Sequence, residues 1–150
     1  FDQHIICNQI LTKAVIPCMK KEQYGRIINI ISTSVKIPLK NLGVSNTIRA
    51  AVAAWAKTMA NELGQYNITV NNVLPGFTKT KRLESLAATV ASKRKLSVPE
   101  IENEWQQEIP MKRFGDASEI AAVAAFLASP AASYVSGTSI PVDGGRTGSI

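Results

Sequence analysis

Apolar positions along this chain recur with two different periods. Over residues 1–22, Ile10, Ala14 and Met19 return at roughly helical intervals before the polar run KKEQYG, which predicts a helix stopped near Gly25. The next run, RIINIIS (26–32), is short, nearly continuous and rich in Ile, the pattern of a strand buried on both faces of a parallel sheet. The loop TSVKIPLKN follows, where Pro38 disfavours helix. A helix is then predicted from about Val44 to Gly64, with Gly64 as its C-terminal stop. NITVNNVL (67–74) predicts a second buried strand ended by Pro75-Gly76. The polar segment from Thr78 to Gly115 carries one or two helices, over RLESLAATVASKRK and PEIENEWQQEI. Asp116 caps a helix over ASEIAAVAAFLAS with Ile120, Val123 and Leu127 on its core side, and GTSIPVDGG predicts a short strand closing on a glycine turn.

Helices alternating with buried strands at this spacing imply right-handed βαβ units and a parallel sheet. Three strands make a thin sheet of that kind. The first, Ile27–Ile31, would be an exposed hydrophobic edge, which proteins avoid. The expectation is therefore that the sheet continues with strands from outside these residues, or that they form half of a domain. The chain also starts without Met, within its predicted first helix, which points the same way.

The helix around 44–64 has two distinct faces. Ile48, Val52, Trp55, Met59 and Leu63 form one apolar stripe expected to face the core. Arg49, Ala53, Ala56 and Ala60 form a second, with Ser45 one turn before Arg49. Side chains four apart lie one above the other, so Ser45 and Arg49 project together where a neighbour can approach. The purely local reading makes Ser45 an N-cap and Arg49 a surface charge.

Composition narrows the classes. At 150 residues, 45% hydrophobic and 19% charged, the chain is one soluble globular domain's worth of sequence. No run of about eighteen apolar residues is present, and FDQHIICNQI lacks the basic and apolar regions of a signal peptide, so neither a membrane span nor an export signal is expected. Cys7 and Cys18 stand about three helical turns apart, ~16 Å, too far for a disulfide. With a single His they make a metal site improbable, and a reduced, cytoplasmic protein is expected. The net charge of +6 suits an anionic ligand. The clusters Lys79/Lys81/Arg82 and Lys93/Arg94/Lys95 read as solvated faces, and no basic stripe interleaved with aromatics supports nucleic-acid binding.

Order and spacing add a family likeness. GRIINIIS, the Ala-rich helix, NITVNNVLPGFTKT and then RFGDASEIAAVAAFLAS…ASYVSGTSIPVDGG resemble the short-chain dehydrogenase/reductase family, from about Ile5 to Gly145, with most similarity to 3-oxoacyl-acyl-carrier-protein reductases. The resemblance implies a Rossmann-like, doubly wound parallel α/β sheet. It covers the family's C-terminal half as one partial domain over 1–150, with three strands, flanking helices and a substrate-covering lid at about 78–115. The family's TGxxxGxG turn and NNAG segment, whose glycines let backbone approach a pyrophosphate, have no counterpart in these residues. Alone, the chain is expected to bind a dinucleotide poorly.

The implied activity is NAD(P)-dependent reduction of a small-molecule carbonyl, 3-oxoacyl or similar, to an alcohol, with NADP or NAD as cofactor and a homo-oligomer, dimer or tetramer, as the assembly. By resemblance, the carbonyl-binding serine falls on Ser32, and the tyrosine and lysine of YxxxK fall on Ser45 and Arg49. Both of the latter depart from the pattern. A phenol near pKa 10 can be tuned toward neutrality, whereas a serine hydroxyl is far less acidic and shorter. Arg49 keeps the charge, and can hold ribose hydroxyls or a phosphate, but will not release a proton. Tyr24, Tyr66 and Tyr134 do not replace the tyrosine by register, and the family's asparagine falls near His4, with Asn8 one turn on. Pro75, Gly76 and Thr78 are implied to line the nicotinamide, with Thr80 offering a hydroxyl to phosphate. Trp105, Ile109 and Met111 are either apolar substrate contacts of the lid or core. The alternative function is a catalytically impaired pseudoenzyme or binding subunit acting through oligomerisation.

Overall fold

The computed structural model describes residues 1–148. A π-helical turn, Asp2–Ile6, runs into helix α1 (Cys7–Glu22). That helix ends on Gln23, whose φ of 50° directs its N–H back to the Lys20 carbonyl, while Tyr24 N bonds Met19 O at 3.1 Å. The helix thus ends near Gly25, as expected, and Gly25 itself begins strand β1 (Gly25–Ile30); a Cβ there would lie 2.6 Å from Met19 Sδ. Its role is to let α1 pack closely on the strand rather than to turn the chain.

Helix α2 (Gly43–Leu63) crosses over to strand β2 (Ile68–Pro75). Gly64 is the C-cap of α2, the stop expected from sequence; with φ −55° it leads into a short 3₁₀ turn, and the left-handed residue is Asn67, at φ 56°. Helices α3 (Lys81–Arg94) and α4 (Val98–Gln107) form a hairpin, followed by α5 (Ala117–Ala128) and strand β3 (Ser139–Val142). The strands run parallel in the order β1-β2-β3, with Gly25 opposite Ile68 and Asn72 opposite Ser139. Central β2 is buried from Ile68 to Leu74, and β1 is an edge whose Ile30 is half exposed.

Two layers of helix cover the sheet. On one face Ala56, Ala60 and Leu63 of α2 pack on Ile68 and Val70, with Ile16 and Met19 of α1 alongside. On the other, Ile120 and Leu127 of α5 pack on Val73, with Val123 and Ile140 joining them. Each fully buried aliphatic side chain here contributes about 2 kcal/mol from its removed surface.

The division of α2 into faces differs from the expectation. Ala56 and Ala60, assigned to a stripe open to a neighbouring subunit, are buried against this chain's own sheet, while Trp55 and Met59 are only partly covered. A small side chain brings the helix axis close to the pleated surface, so the sheet itself is the close neighbour the alanines admit. Leu42 occupies the N-cap of α2, so Ser45 lies within the first turn and is not the cap. Cys7 and Cys18 are free and exposed. Among the described residues no helix is long and apolar enough to cross a membrane, and no group of three His, Cys, Asp or Glu side chains is placed to hold a metal ion.

Candidate active site

The carboxyl ends of β1 and β2 open into a cleft of about 610 Å³. This is where a parallel sheet places ligands, because the crossover loops diverge there and helix N-termini point inward. Ile31, Ser32 and Ser34 line it from the end of β1, Pro75 to Thr78 and Thr80 from the end of β2, and Ser45, Asn46 and Arg49 from the first turns of α2. Arg82, Leu83 and Leu86 of α3 and Ala117, Ile120, Ala121 and Ala124 of α5 complete the walls. All seven residues singled out from sequence (Ser32, Ser45, Arg49, Pro75, Gly76, Thr78 and Thr80) thus meet in one cavity.

Ser32 caps the 3₁₀ turn Thr33–Val35, its Oγ accepting the Ser34 N–H at 3.1 Å. A turn-forming role and a ligand-facing role coexist in this residue, for the hydroxyl proton is committed to no acceptor among the described residues. Ser34 itself is buried, lines the cleft, and its Oγ has no partner among the described residues. The loop before α2 is held down by Asn46, which donates from Nδ2 to Leu39 O at 2.8 Å and accepts Leu39 N at 3.4 Å. This clamp, not foreseen from sequence, presents the first turn of α2 to the cleft.

Gly76 is required by packing. A Cβ at that position would lie 2.6 Å from Asp143 Cβ and 2.8 Å from its Cα, and Gly76 N bonds Val142 O at 3.0 Å. Thr78 Oγ1 donates to Gly76 O at 3.2 Å. Thr80 caps α3, accepting Leu83 N at 3.3 Å and directing its proton to Thr78 O at 3.3 Å. Its hydroxyl is therefore engaged within the turn, and donating to a phosphate requires that long bond to give way.

The segment 78–115 leaves and returns at one point. Thr78 bridges Gly115, with Lys79 N to Gly115 O and Gly115 N to Phe77 O both at 2.9 Å. Trp105 stacks on Phe77 with ring centroids 5.1 Å apart and planes 5° from parallel, and Leu83, Ile109 and Phe114 close around Phe77. Of the three apolar residues suggested for substrate contact, Ile109 is buried in this small core, Trp105 is packed in it, and Met111 is exposed; none lines the cleft. From the helical hairpin, Arg82, Leu83 and Leu86 of α3 face the cleft.

A second cavity of about 450 Å³ adjoins the cleft through Leu42, Ser45, Arg49 and Arg82, and is lined also by His4, Asn41 and Val44. Burial and then the neighbouring Arg82 lower the Arg49 pKa, and burial followed by Arg49 lowers that of His4. Of the cluster read from sequence as a solvated face, all three side chains are exposed; Lys79 pairs with Asp116 at 3.1 Å and Lys81 lines neither cavity, while Arg82 also lines the cleft. Local sequence could not separate them, because the direction of each side chain depends on where α3 starts. The tyrosines stay away: Tyr24 bonds Ala128 O at 3.2 Å, Tyr66 lies under Lys20, and Tyr134 is fully exposed.

A parallel sheet between helical layers, with a ligand cleft at the strands' carboxyl ends, defines a Rossmann-type α/β protein. Residues 6–147 match the family described as Enoyl-(Acyl carrier protein) reductase, and the chain belongs to the short-chain dehydrogenase/reductase family. It is 39% identical over 150 residues to the NADPH-dependent reductase BacG of Bacillus subtilis, covering all of this chain and 58% of that protein. It is 40% identical over 138 residues to the 3-oxoacyl-[acyl-carrier-protein] reductase FabG of Pseudomonas aeruginosa, covering 90% of this chain and 50% of that one. The crystal structure of YwfH, an NADPH-dependent reductase involved in bacilysin biosynthesis, superposes with a TM-score of 0.86 at 40% identity, over 93% of this chain and 53% of the other. That of L-sorbose reductase from Gluconobacter frateurii, complexed with NADPH and L-sorbose, gives 0.90 at 28% identity, over 98% and 56%. The chain thus spans about half the length of the relatives it matches.

Proposed function

We propose that these residues form the substrate-facing and nicotinamide-facing half of an NAD(P)-dependent reductase that converts a carbonyl to an alcohol. The observation carrying this reading is the convergence of Ser32, Ser45, Arg49 and the Pro75–Thr80 turn on one cleft at the carboxyl ends of β1 and β2. The cleft suits a nicotinamide riboside beside a second, anionic group. Two guanidinium groups and the unpartnered Ser34 Oγ face it, and no carboxylate lines it among the described residues. When bound, the reduced nicotinamide supplies the hydride.

In this reading Ser32 donates its uncommitted proton to the carbonyl oxygen, polarising it where negative charge develops. Arg49 anchors ribose hydroxyls and remains charged despite its partial burial. Leu83 and Leu86 shield the reacting carbon from water. With serine at 45, the final proton comes from a water held by its hydroxyl. Fluorescence titration of the full-length protein with NADPH tests the reading: micromolar binding is expected, and a flat trace at millimolar cofactor overturns it.

A second reading, a catalytically impaired subunit, is favoured by one observation: among the described residues no tyrosine lines the cleft. Restoring the family pair by Ser45→Tyr with Arg49→Lys separates the two. Carbonyl reduction confined to the double variant would assign the natural protein to the impaired class. The assembly in either case is a homo-oligomer, and a monomer by light scattering would refute that part.

A further inference from the structure

Six arginines occur in the chain, and four have evident partners. Arg94, Arg113 and Arg146 each bind a carboxylate, on Glu104, Glu119 and Glu108, and Arg26 donates to the Gly25 and Asn67 carbonyls. Arg49 and Arg82 differ: neither has a hydrogen bond or ion pair among the described residues. They come from different helices, α2 and α3, yet line the same two adjoining cavities, and no Asp or Glu lines either one among the described residues. Two neighbouring guanidinium groups repel, and half-burial of Arg49 strips water that would screen them. An arrangement of this kind is relieved by an anion accepting from both forks.

Accepting the reductase reading above, we propose that the Arg49–Arg82 pair binds a carboxylate or phosphate carried by the substrate, so that the protein selects acidic carbonyl compounds and Arg82 determines that selectivity. The substrate is the favoured source of the anion, rather than the cofactor, because of what surrounds the pair. The cavity it shares with His4 is walled by Leu42 and Val44, whereas Pro75, Gly76 and Thr78, the residues assigned to the nicotinamide, and Thr80 line only the neighbouring cleft. His4 reports on the pair directly: Arg49 and Arg82, together with the amino group of Phe1, are the charges that act on it, after burial, to lower its pKa.

The experiment is an NMR titration of the His4 imidazole in the full-length protein, its resonance assigned by its loss in His4→Gln. Pyruvate, methyl pyruvate, inorganic phosphate and NADP⁺ serve as probes. Millimolar pyruvate or phosphate is expected to raise the His4 midpoint by about half a pH unit, as a nearby anion offsets the two cations, and methyl pyruvate to leave it in place. Arg82→Gln and Arg49→Gln should each raise the midpoint of the free protein and abolish the response to pyruvate. Overturning results are a midpoint unmoved by both pyruvate and phosphate, or one moved by NADP⁺ with NADP⁺ competing against pyruvate, which would give the pair to the cofactor. If pyruvate acts but NADPH does not bind, the anion site stands and the reductase reading fails. If NADPH binds and neither anion acts, the reductase reading stands and the anion site fails.

Discussion

The Asn71 amide ties the middle of the sheet to the approach of its third strand: its Oδ1 accepts both the Thr138 N–H, at 3.2 Å, and the Thr138 hydroxyl, at 3.1 Å. Its Nδ2 donates to Val135 O at 2.8 Å, and the residue has no exposed surface. Three polar groups outside β2 are thus satisfied by one buried side chain. Asn71→Leu keeps the volume but leaves those partners unsatisfied, and is expected to destabilise the protein by about 2 kcal/mol. Urea denaturation checks this, with no change in midpoint as the contrary result.

Trp105 stacked on Phe77 anchors the helical hairpin to the turn after β2. Trp105→Ala removes the ring from that stack and from the Ile101 cluster behind it. A loss of about 2 kcal/mol is expected from the opened cavity. Limited proteolysis should then cut first within 81–110, whereas in the parent protein the paired ends at Thr78 and Gly115 retard such cleavage.

Glu119 accepts both guanidinium arms of Arg113, at 2.7 and 2.8 Å, and the Asp116 N–H at 2.8 Å at the start of α5. The Arg113 bond foremost, then the backbone bond, holds its pKa at about 2, below the ordinary 4.5. A depressed carboxylate pKa means that the unfolded chain binds the proton first as pH falls. The stabilisation from Glu119 is therefore complete above about pH 4.5 and is lost as pH drops through about 2. Glu119→Gln should be less stable than the parent at neutral pH, with the difference shrinking across that acid window in denaturation midpoints. A constant difference would exclude the linkage.

Ser32 is the group the proposed chemistry leans on most. Ser32→Ala keeps the strand end but removes both the proton donor and the acceptor for Ser34 N. A fall in kcat of about a hundredfold on a carbonyl substrate is expected, with NADPH affinity unchanged. Ser32→Thr, which retains the hydroxyl, should recover part of the rate; equal losses in both variants would point to the turn alone.

Much of the fold was legible along the chain because its signals are local. The Ile-rich run before Ser32, the buried run of β2 and the polar start of α5 at Asp116 each declare an element within a few residues. Glu119 three residues after Asp116 completes that start by accepting its N–H. The helix ends were legible too, near Gly25 and at Gly64, but not the turn residues: the left-handed positions are Gln23 and Asn67, polar side chains that an αL position tolerates.

By itself the sequence determined the order of helices and strands, the parallel sheet and the family membership, along with the seven positions that meet in the cleft. The elements and the sheet depend on periodicity and spacing, which are written along one chain; the family and the seven positions came from the motifs that resemble it. Only the tertiary structure decided which side chains share the cleft with them. Arg82 faces Arg49 because α3 folds over the end of the sheet, Ala56 and Ala60 turn inward because α2 lies close on β2, and Ile109 leaves the substrate side because the hairpin has its own core. Such relations are set by packing between elements remote in sequence, where no local pattern records which residue will be the neighbour.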